Sequence, residues 1–311
     1  MGKRIMVRMK WTLIYAILFL SIVMGCQETE PEPAPKTTKK ETPLLLGLIP
    51  EQNIFKQIER YEPIAGYLSK KIGKPIELKV LTRYGNIIDN FVTLGLDGAF
   101  FGSFTYALAH EKLGIEPIAR PENMVGISTY HGLIFVRKES GIKGAKEMNG
   151  KRFVFVDKAT TAGYLLPLAY FKEHGINDYK IFFKETYFAG THEDAIFDVL
   201  NNKADIGAAK NTVFSRLAAK NDRIKSELVI LERSPDVPEN GLAVRNGLEV
   251  VVKNKLKQAL LNMQHDPVGT TVLTGFGARR FIETTDNDYE SVYTYAQQIG
   301  LNLKIYDYMN D

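Results

Sequence analysis

From Leu44 to about residue 245 the chain alternates two kinds of segment. Short runs of almost unbroken apolar residues are each followed by ten to twenty residues with apolar positions three and four apart. "LLLGLIP" (44–50), "DGAFFG" (97–102), "GKRFVFVD" (150–157) and "ADIGAAK" (204–210) are the clearest runs. A strand with no polar alternation must be buried on both faces, and that requires helices on both sides of a sheet. Strand–helix alternation of this kind predicts an α/β architecture with largely parallel sheets.

The individual segments follow from their periodicity. "NIFKQIERYEPIAGYLSKKIG" (53–73) reads as a helix with Ile54, Ile58, Tyr61, Ala65, Leu68 and Ile72 on its apolar face. Pro63 would kink it or start a second segment, and Gly73 would stop it. "PIELKVL", "IEPIAR", "HGLIFVRKES", "YKIFFKETY" and "ELVILERSP" read as strands, and "YGNIIDNFVTLG" and "SFTYALAHEKLG" as helices. In "THEDAIFDVLNN", Thr191 and Asp194 fit a capping box ahead of an apolar face of Ala195, Ile196, Val199 and Leu200. Further helices are predicted to begin near Leu248, Pro267 and Tyr289.

This pattern gives two α/β units. The economical path runs from lobe 1 (residues 44–128) to lobe 2 (129–240) and back into lobe 1 (241–311). Hinge strands are expected near 129–137 and 233–245, with the terminal helices completing lobe 1. Two lobes joined by two strands enclose a cleft, a favoured place for a ligand.

The segment before Leu44 reads differently. Lys3, Arg4, Arg8 and Lys10 precede an uncharged run from Trp11 to Val23, the pattern of an export signal over residues 1–25. The run is short of the ~20 apolar residues of a membrane span. It ends in "VMGC", with Gly25 before Cys26, the chain's one cysteine. This resembles a bacterial lipobox, in which the cysteine is lipidated and becomes the mature N-terminus; a signal-anchor helix is the alternative. Residues 26–43, "CQETEPEPAPKTTKKETP" with its lipidated cysteine, then form a polar, proline-rich tether. The formal net charge of +4 equals the four basic residues of the signal, so the mature chain is near neutral. Such a balance gives no support for a nucleic-acid partner.

No Walker A sequence, G-x-S-x-G, H-E-x-x-H or dinucleotide-binding glycine fingerprint occurs, and the five histidines are scattered. No catalytic residue, metal site or cofactor is expected. What does recur is a polar cluster where an apolar run gives way to a helix: "TRYGN" (82–86), "GSFT" (102–105), "ATTAG" (159–163) and "GTHED" (190–194). One such start is an ordinary N-cap. Four around one cleft would direct N–H groups, hydroxyls and positive helix ends at an anion.

These stretches, with "DGAFFGSFTYA", "STYHGLIFV", "DKATTAGYLLP", "AGTHEDAIFDVLNNKADIGAAKNT" and "ERSPDVPENGLAVR", carry a resemblance to a known family. The chain is similar, over residues 44–280, to the substrate-binding proteins of phosphate, phosphite and phosphonate ABC importers. The resemblance implies the type 2 periplasmic-binding (Venus flytrap) fold. It also implies that the phosphorus oxygens are held by Tyr84, Tyr130, the turn Thr160, Thr161, Ala162 and Gly163, and His192, with Asn211, Thr212 and Asn240 completing the site. Relatives that take 2-aminoethylphosphonate meet its ammonium with carboxylates. Thr212 and Asn240 stand at those positions here, so an aminoalkyl ligand is disfavoured; Glu239 and Asp236 are the carboxylates nearby in sequence.

The expectation is a monomeric, lipid-anchored, non-enzymatic binding protein on the outer side of a bacterial membrane. It would deliver phosphate, phosphite, a small alkylphosphonate or another tetrahedral oxyanion to a permease served by a separate ATPase subunit. A sensor subunit feeding a membrane signalling protein is the second possibility, and a histidine kinase gene beside this one would favour it.

Overall fold

The computed structural model describes residues 42–310. The export signal, Cys26 and nearly all of the tether therefore lie outside the described residues. In chain order the elements begin with β1 (Leu44–Leu48), α1 (Ile54–Ile72), β2 (Ile76–Val80), α2 (Asn86–Thr93), β3 (Gly98–Phe101), α3 (Ser103–Leu113) and β4 (Glu116–Asn123). Next come β5 (Thr129–Tyr130), β6 (Gly132–Arg137), β7 (Arg152–Phe155), α4 (Leu166–Glu173), α5 (Tyr179–Phe182), β8 (Glu185–Phe188), α6 (His192–Leu200), β9 (Ile206–Lys210), α7 (Asn211–Ala218) and α8 (Asp222–Glu227). The last are β10 (Leu228–Arg233), β11 (Val237–Pro238), β12 (Gly241–Val244), α9 (Val250–Leu261), α10 (Pro267–Phe276), β13 (Ala278–Glu283) and α11 (Glu290–Gln298).

Two sheets form two lobes. The first has the order β13-β4-β12-β3-β1-β2, the second β10-β6-β9-β7-β8. Between them β5 pairs antiparallel with β11, Tyr130 opposite Val237. The sheets are mixed, not largely parallel. β1 runs parallel to β2 and β3, whereas β12 is antiparallel to both β3 and β4. The physical reason is the path: β12 re-enters the first sheet from the opposite direction and slots between strands already laid down. In the second sheet β7 is parallel to β8 and β9, and β6 is antiparallel to β9 and β10. Each lobe has its own core, with Leu46, Leu48, Tyr61 and Phe100 in the first and Val136, Phe153, Phe155 and Phe171 in the second.

Four local expectations are corrected. α1 is continuous through Pro63, and its phase is set by Tyr61, whose ring packs against Phe100 and Phe276. That phase turns Gln57 inward, where its amide donates to the Ile49 carbonyl at 3.0 Å, and leaves Ile54 and Ile58 exposed. "YKIFFKETY" splits into the turn α5 and strand β8, because Asp178 caps the backbone N–H groups of Lys180 and Ile181. β13 forms where only helices were expected, pairing with β4. Finally, α9 and α10 pack in the first lobe against α1 and β13, but α11 touches α3 of the first lobe and α4 of the second. Among the described residues no helix is long and apolar enough to cross a membrane.

Candidate functional site: a donor-lined void between the lobes

The carboxyl ends of the parallel strands of both sheets face one another across the hinge. Glu51 follows β1, Tyr84 follows β2, Gly102 follows β3, Thr160 follows β7, His192 follows β8, and Lys210 ends β9. In open α/β sheets the crevice outside the carboxyl ends of strands is where ligands bind. Here these six residues, with Ile49, Thr105, Tyr130, Thr161 and Asn240, line a narrow void between the lobes.

All four polar helix starts contribute to the wall. Gly85 precedes α2, Gly102 caps α3 and Thr191 caps α6. The fourth start is a π-helical turn over Thr161–Leu165 that leads into α4, with the Leu165 N–H bonded to the Thr160 carbonyl at 3.1 Å. Gly163 permits that turn: a β-carbon there would lie 2.4 Å from the Val156 β-carbon. First-turn N–H groups have no acceptor within their own helix, so the wall is rich in donors.

The side chains fall into two sets. Tyr84 is 2% exposed, and its hydroxyl is buried without a hydrogen-bond partner. Burial, followed by the charges of Glu51 and Asp157, raises its pKa well above the usual phenol value, so the hydroxyl keeps its proton. The Tyr130 hydroxyl lies 3.4 Å from Ser103 Oγ. Thr161 Oγ1 accepts from the Phe104 N–H at 2.8 Å and also lies within hydrogen-bonding reach of the Tyr130 hydroxyl. Thr160 Oγ1 already donates to the Asp157 carbonyl at 2.6 Å. His192 is neutral: burial, reinforced by Lys210 and Arg216 against Glu51, lowers its pKa to about 3. The Lys210 N–H donates to His192 Nδ1 at 3.2 Å, so the ring proton sits on Nε2.

The second set is ionic. Lys210 Nζ donates to Glu51 Oε1 at 3.0 Å, to Asn240 Oδ1 at 2.9 Å and to Glu239 Oε1, and it stands 4.2 Å from the centre of the Tyr130 ring. Glu51 also takes the Asn240 amide at 2.9 Å and lies 3.5 Å from Arg60. Burial alone would raise the Glu51 carboxyl, but the charges of Lys210, Arg60 and Arg216 outweigh it and hold the group ionised. For Lys210 burial would favour the neutral amine, and the Glu239 and Glu51 carboxylates outweigh it and hold the ammonium.

Of the residues expected at the site, Tyr84, Tyr130, Thr160, Thr161, His192 and Asn240 line the void. Ala162 and Gly163 shape the turn behind Thr161 and face away from the void, Ala162 toward Gly132 and Leu166. Asn211 ties the hinge instead, its Oδ1 accepting from the His131 N–H at 3.1 Å. Thr212 lines a neighbouring open recess with Arg60, Lys210, Arg216 and Glu239. Asp236 is held at the surface by Thr129 and His131. Glu51 and Lys210 were not expected; each is a charge at the end of an apolar strand, and that position is the signal that marks them. Among the described residues no three His, Cys, Asp or Glu side chains are grouped to hold a metal ion.

The chain is similar to known proteins in sequence and in fold. A family model described as "ABC transporter, phosphonate, periplasmic substrate-binding protein" matches residues 46–289. The chain is 26% identical over 242 residues to the phosphate-import protein PhnD of Mycolicibacterium smegmatis, covering 74% of this chain and 73% of that protein. It is 24% identical over 277 residues to the probable ABC transporter phosphite binding protein PhnD1 of Prochlorococcus marinus, covering 84% and 89%. The structure of PhnD1 from Prochlorococcus marinus in complex with methylphosphonate aligns with a TM-score of 0.74 at 22% identity, over 84% of this chain and 98% of that one.

Proposed function

Because the chain belongs to the family of periplasmic substrate-binding proteins of ABC phosphonate transporters, we propose that it captures a small phosphorus oxyanion between its lobes and delivers it to a membrane permease. The ligand class is phosphonate, phosphite or phosphate, in keeping with the ligands named for the relatives. One observation carries this reading: the buried, unpartnered Tyr84 hydroxyl on the wall of a void ringed by helix starts. A buried donor without an acceptor is costly, and an oxyanion supplies the acceptor.

In this reading Tyr84, Tyr130, Thr161 and His192 Nε2 donate to the oxyanion. Thr160 and first-turn N–H groups complete the cradle. The ligand touches both walls only when the lobes are together, so binding favours closure. No covalent step is involved. An ammonium-bearing phosphonate is disfavoured because the nearest carboxylates, Glu51 and Glu239, already hold Lys210. "VMGC" and the basic, apolar segment before it support export and lipidation at Cys26, with residues 26–43 as tether. The protein would then act as a monomer on the outer side of the membrane, beside a permease and its separate ATPase.

Thermal unfolding of the full chain against phosphate, phosphite, methylphosphonate, 2-aminoethylphosphonate and sulfate tests the proposal. A ligand at 100 times its Kd stabilises by about 2.7 kcal/mol. Phosphite, phosphate or methylphosphonate is expected to raise the melting temperature, and the rise should vanish in Tyr84→Phe. A folded sample that responds to none of them contradicts the reading.

A further inference from the structure

Arg216 stands on α7, six residues beyond Lys210, and forms part of the recess that shares Lys210 with the inner void. Its Nε and Nη2 are shut off from solvent and have no hydrogen-bond partner. These two nitrogens form one edge of the guanidinium. Elsewhere in the chain the same edge is filled by a carboxylate: Arg280 grips Glu122 through Nε and Nη2, both at 3.0 Å, and Arg152 grips Asp205 at 3.2 and 2.9 Å. At Arg216 the edge is buried and has no hydrogen-bond partner.

The charge around it is also unmatched. The recess carries Lys56, Arg60, Lys210, Arg216 and Lys220 against Glu59 and Glu239, with Glu51 behind it; Glu51 and Glu239 are engaged by Lys210 and, for Glu51, by Arg60. Lys56 is matched by Glu193. Burial, and then the neighbouring Arg60, lowers the Arg216 pKa, and the Glu51 and Glu239 carboxylates offset this only in part.

We propose that Arg216 takes a second anionic group of the same ligand, so that the recess is the tail site of a phosphonate bearing a carboxylate or a second phosphoryl group. This rests on the oxyanion reading of the inner void. The phosphoryl group would occupy that void, the tail would pass Lys210, and the second anion would meet Nε and Nη2 as a bidentate partner. Thr212 and Lys220 also line the recess and offer further donors.

Calorimetric titration of the full chain with methylphosphonate, propylphosphonate, phosphonoacetate and 3-phosphonopropionate tests this, in wild type and in Arg216→Gln and Arg216→Lys. Wild type is expected to bind one phosphonocarboxylate per chain, about tenfold or more tighter than propylphosphonate. Arg216→Gln should abolish that preference and change methylphosphonate binding little; Arg216→Lys, which lacks the planar edge, should restore only part of it. Equal loss of all four ligands in Arg216→Gln would mean that Arg216 only adds field at the inner void, and would overturn the proposal. Methylphosphonate binding with no preference for a carboxylate tail would overturn it too, as would a second ion binding independently. Failure of every phosphorus oxyanion to bind a folded chain would instead remove the reading beneath it.

Discussion

The backbone N–H of Phe104, in the first turn of α3, donates to the Thr161 hydroxyl at 2.8 Å across the gap between the lobes. One residue on, the Thr105 hydroxyl donates back to the Ala159 carbonyl at 2.8 Å. The same loop thus lines the void and fastens the second lobe to the first. Closure and ligand capture share their atoms.

Thr161→Val keeps the shape and removes the hydroxyl. It leaves the Phe104 N–H without its acceptor and deletes a donor to the oxyanion. A hydrogen bond to a charged group contributes about 1.5–3 kcal/mol, so affinity for phosphite or methylphosphonate should fall about 10- to 100-fold. Thr161→Ser should stay within a few-fold of wild type. Calorimetric titration reads both, and a Thr161→Val protein that binds normally would take Thr161 out of the site.

His192 gives a pH signature. Its pKa is about 6.5 in an unfolded chain and about 3 in the fold. Between those values the unfolded chain binds the additional proton, so stability is full above pH 6.5 and is lost as pH falls toward 3. Each pKa unit corresponds to about 1.4 kcal/mol. Thermal melts should therefore decline already between pH 6.5 and 5, above the carboxylate range, and His192→Gln should flatten that part of the profile. Gln also places an N–H near Nε2, so it should retain more ligand affinity than His192→Ala. An unchanged melt profile in His192→Gln would show that the imidazole titrates normally.

The alternation of apolar runs and helical periods was enough to place most strands and the two-unit layout, because burial on both faces leaves a continuous apolar signature. It could not place β12 between β3 and β4, since strand order depends on contacts far apart in the chain. Around the candidate site the polar helix starts that hold Thr161 and His192 were legible as a set, and the family likeness singled out His192 within them. Tyr84 and Tyr130 came through the family likeness. Glu51 and Lys210 were missed because nothing in the sequence ties one to the other. Their pairing spans 159 positions and exists only once the lobes meet. Ala162 and Gly163 illustrate the converse, a motif whose small residues serve the turn and not the void.

The segment after α11 works as a strap. The Tyr308 hydroxyl donates to Asp89 in the first lobe at 2.8 Å, and the Tyr306 hydroxyl donates to the Lys158 carbonyl in the second at 3.1 Å. Asn310 then brackets the binding loop, donating to Asp157 Oδ2 at 3.1 Å and accepting from the Lys158 N–H at 3.0 Å. Removing residues 306–311 should leave both cores intact and shift the chain toward the open form. At about 0.5–1.5 kcal/mol for each lost hydrogen bond, ligand affinity should drop roughly tenfold or more, mostly through faster release. Small-angle scattering of the unliganded chain should report a larger radius. An unchanged radius together with unchanged release would mean that the strap adds nothing to closure.

Lys210 offers the sharpest test of ligand choice. Its ammonium fills a cage made by Glu51, Glu239, Asn240 and the face of Tyr130, at the wall of the void. A tethered cation therefore sits where the ammonium of an aminoalkyl ligand would find its carboxylates. Lys210→Ala empties the cage and leaves the buried Glu51 and the part-buried Glu239 short of their partner, a loss expected to cost about 3–5 kcal/mol of stability. A ligand carrying its own ammonium can replace the missing charge. In wild type, 2-aminoethylphosphonate should bind more weakly than ethylphosphonate. In Lys210→Ala the order should invert, with 2-aminoethylphosphonate raising the melting temperature more. If the alanine variant is too unstable to purify, Lys210→Gln keeps a hydrogen bond to the carboxylates and should still narrow the gap between the two ligands. A wild-type chain that prefers 2-aminoethylphosphonate would mean that Lys210 swings clear of the cage on binding, and Glu51 and Glu239 would then be the ligand's partners, not the lysine's.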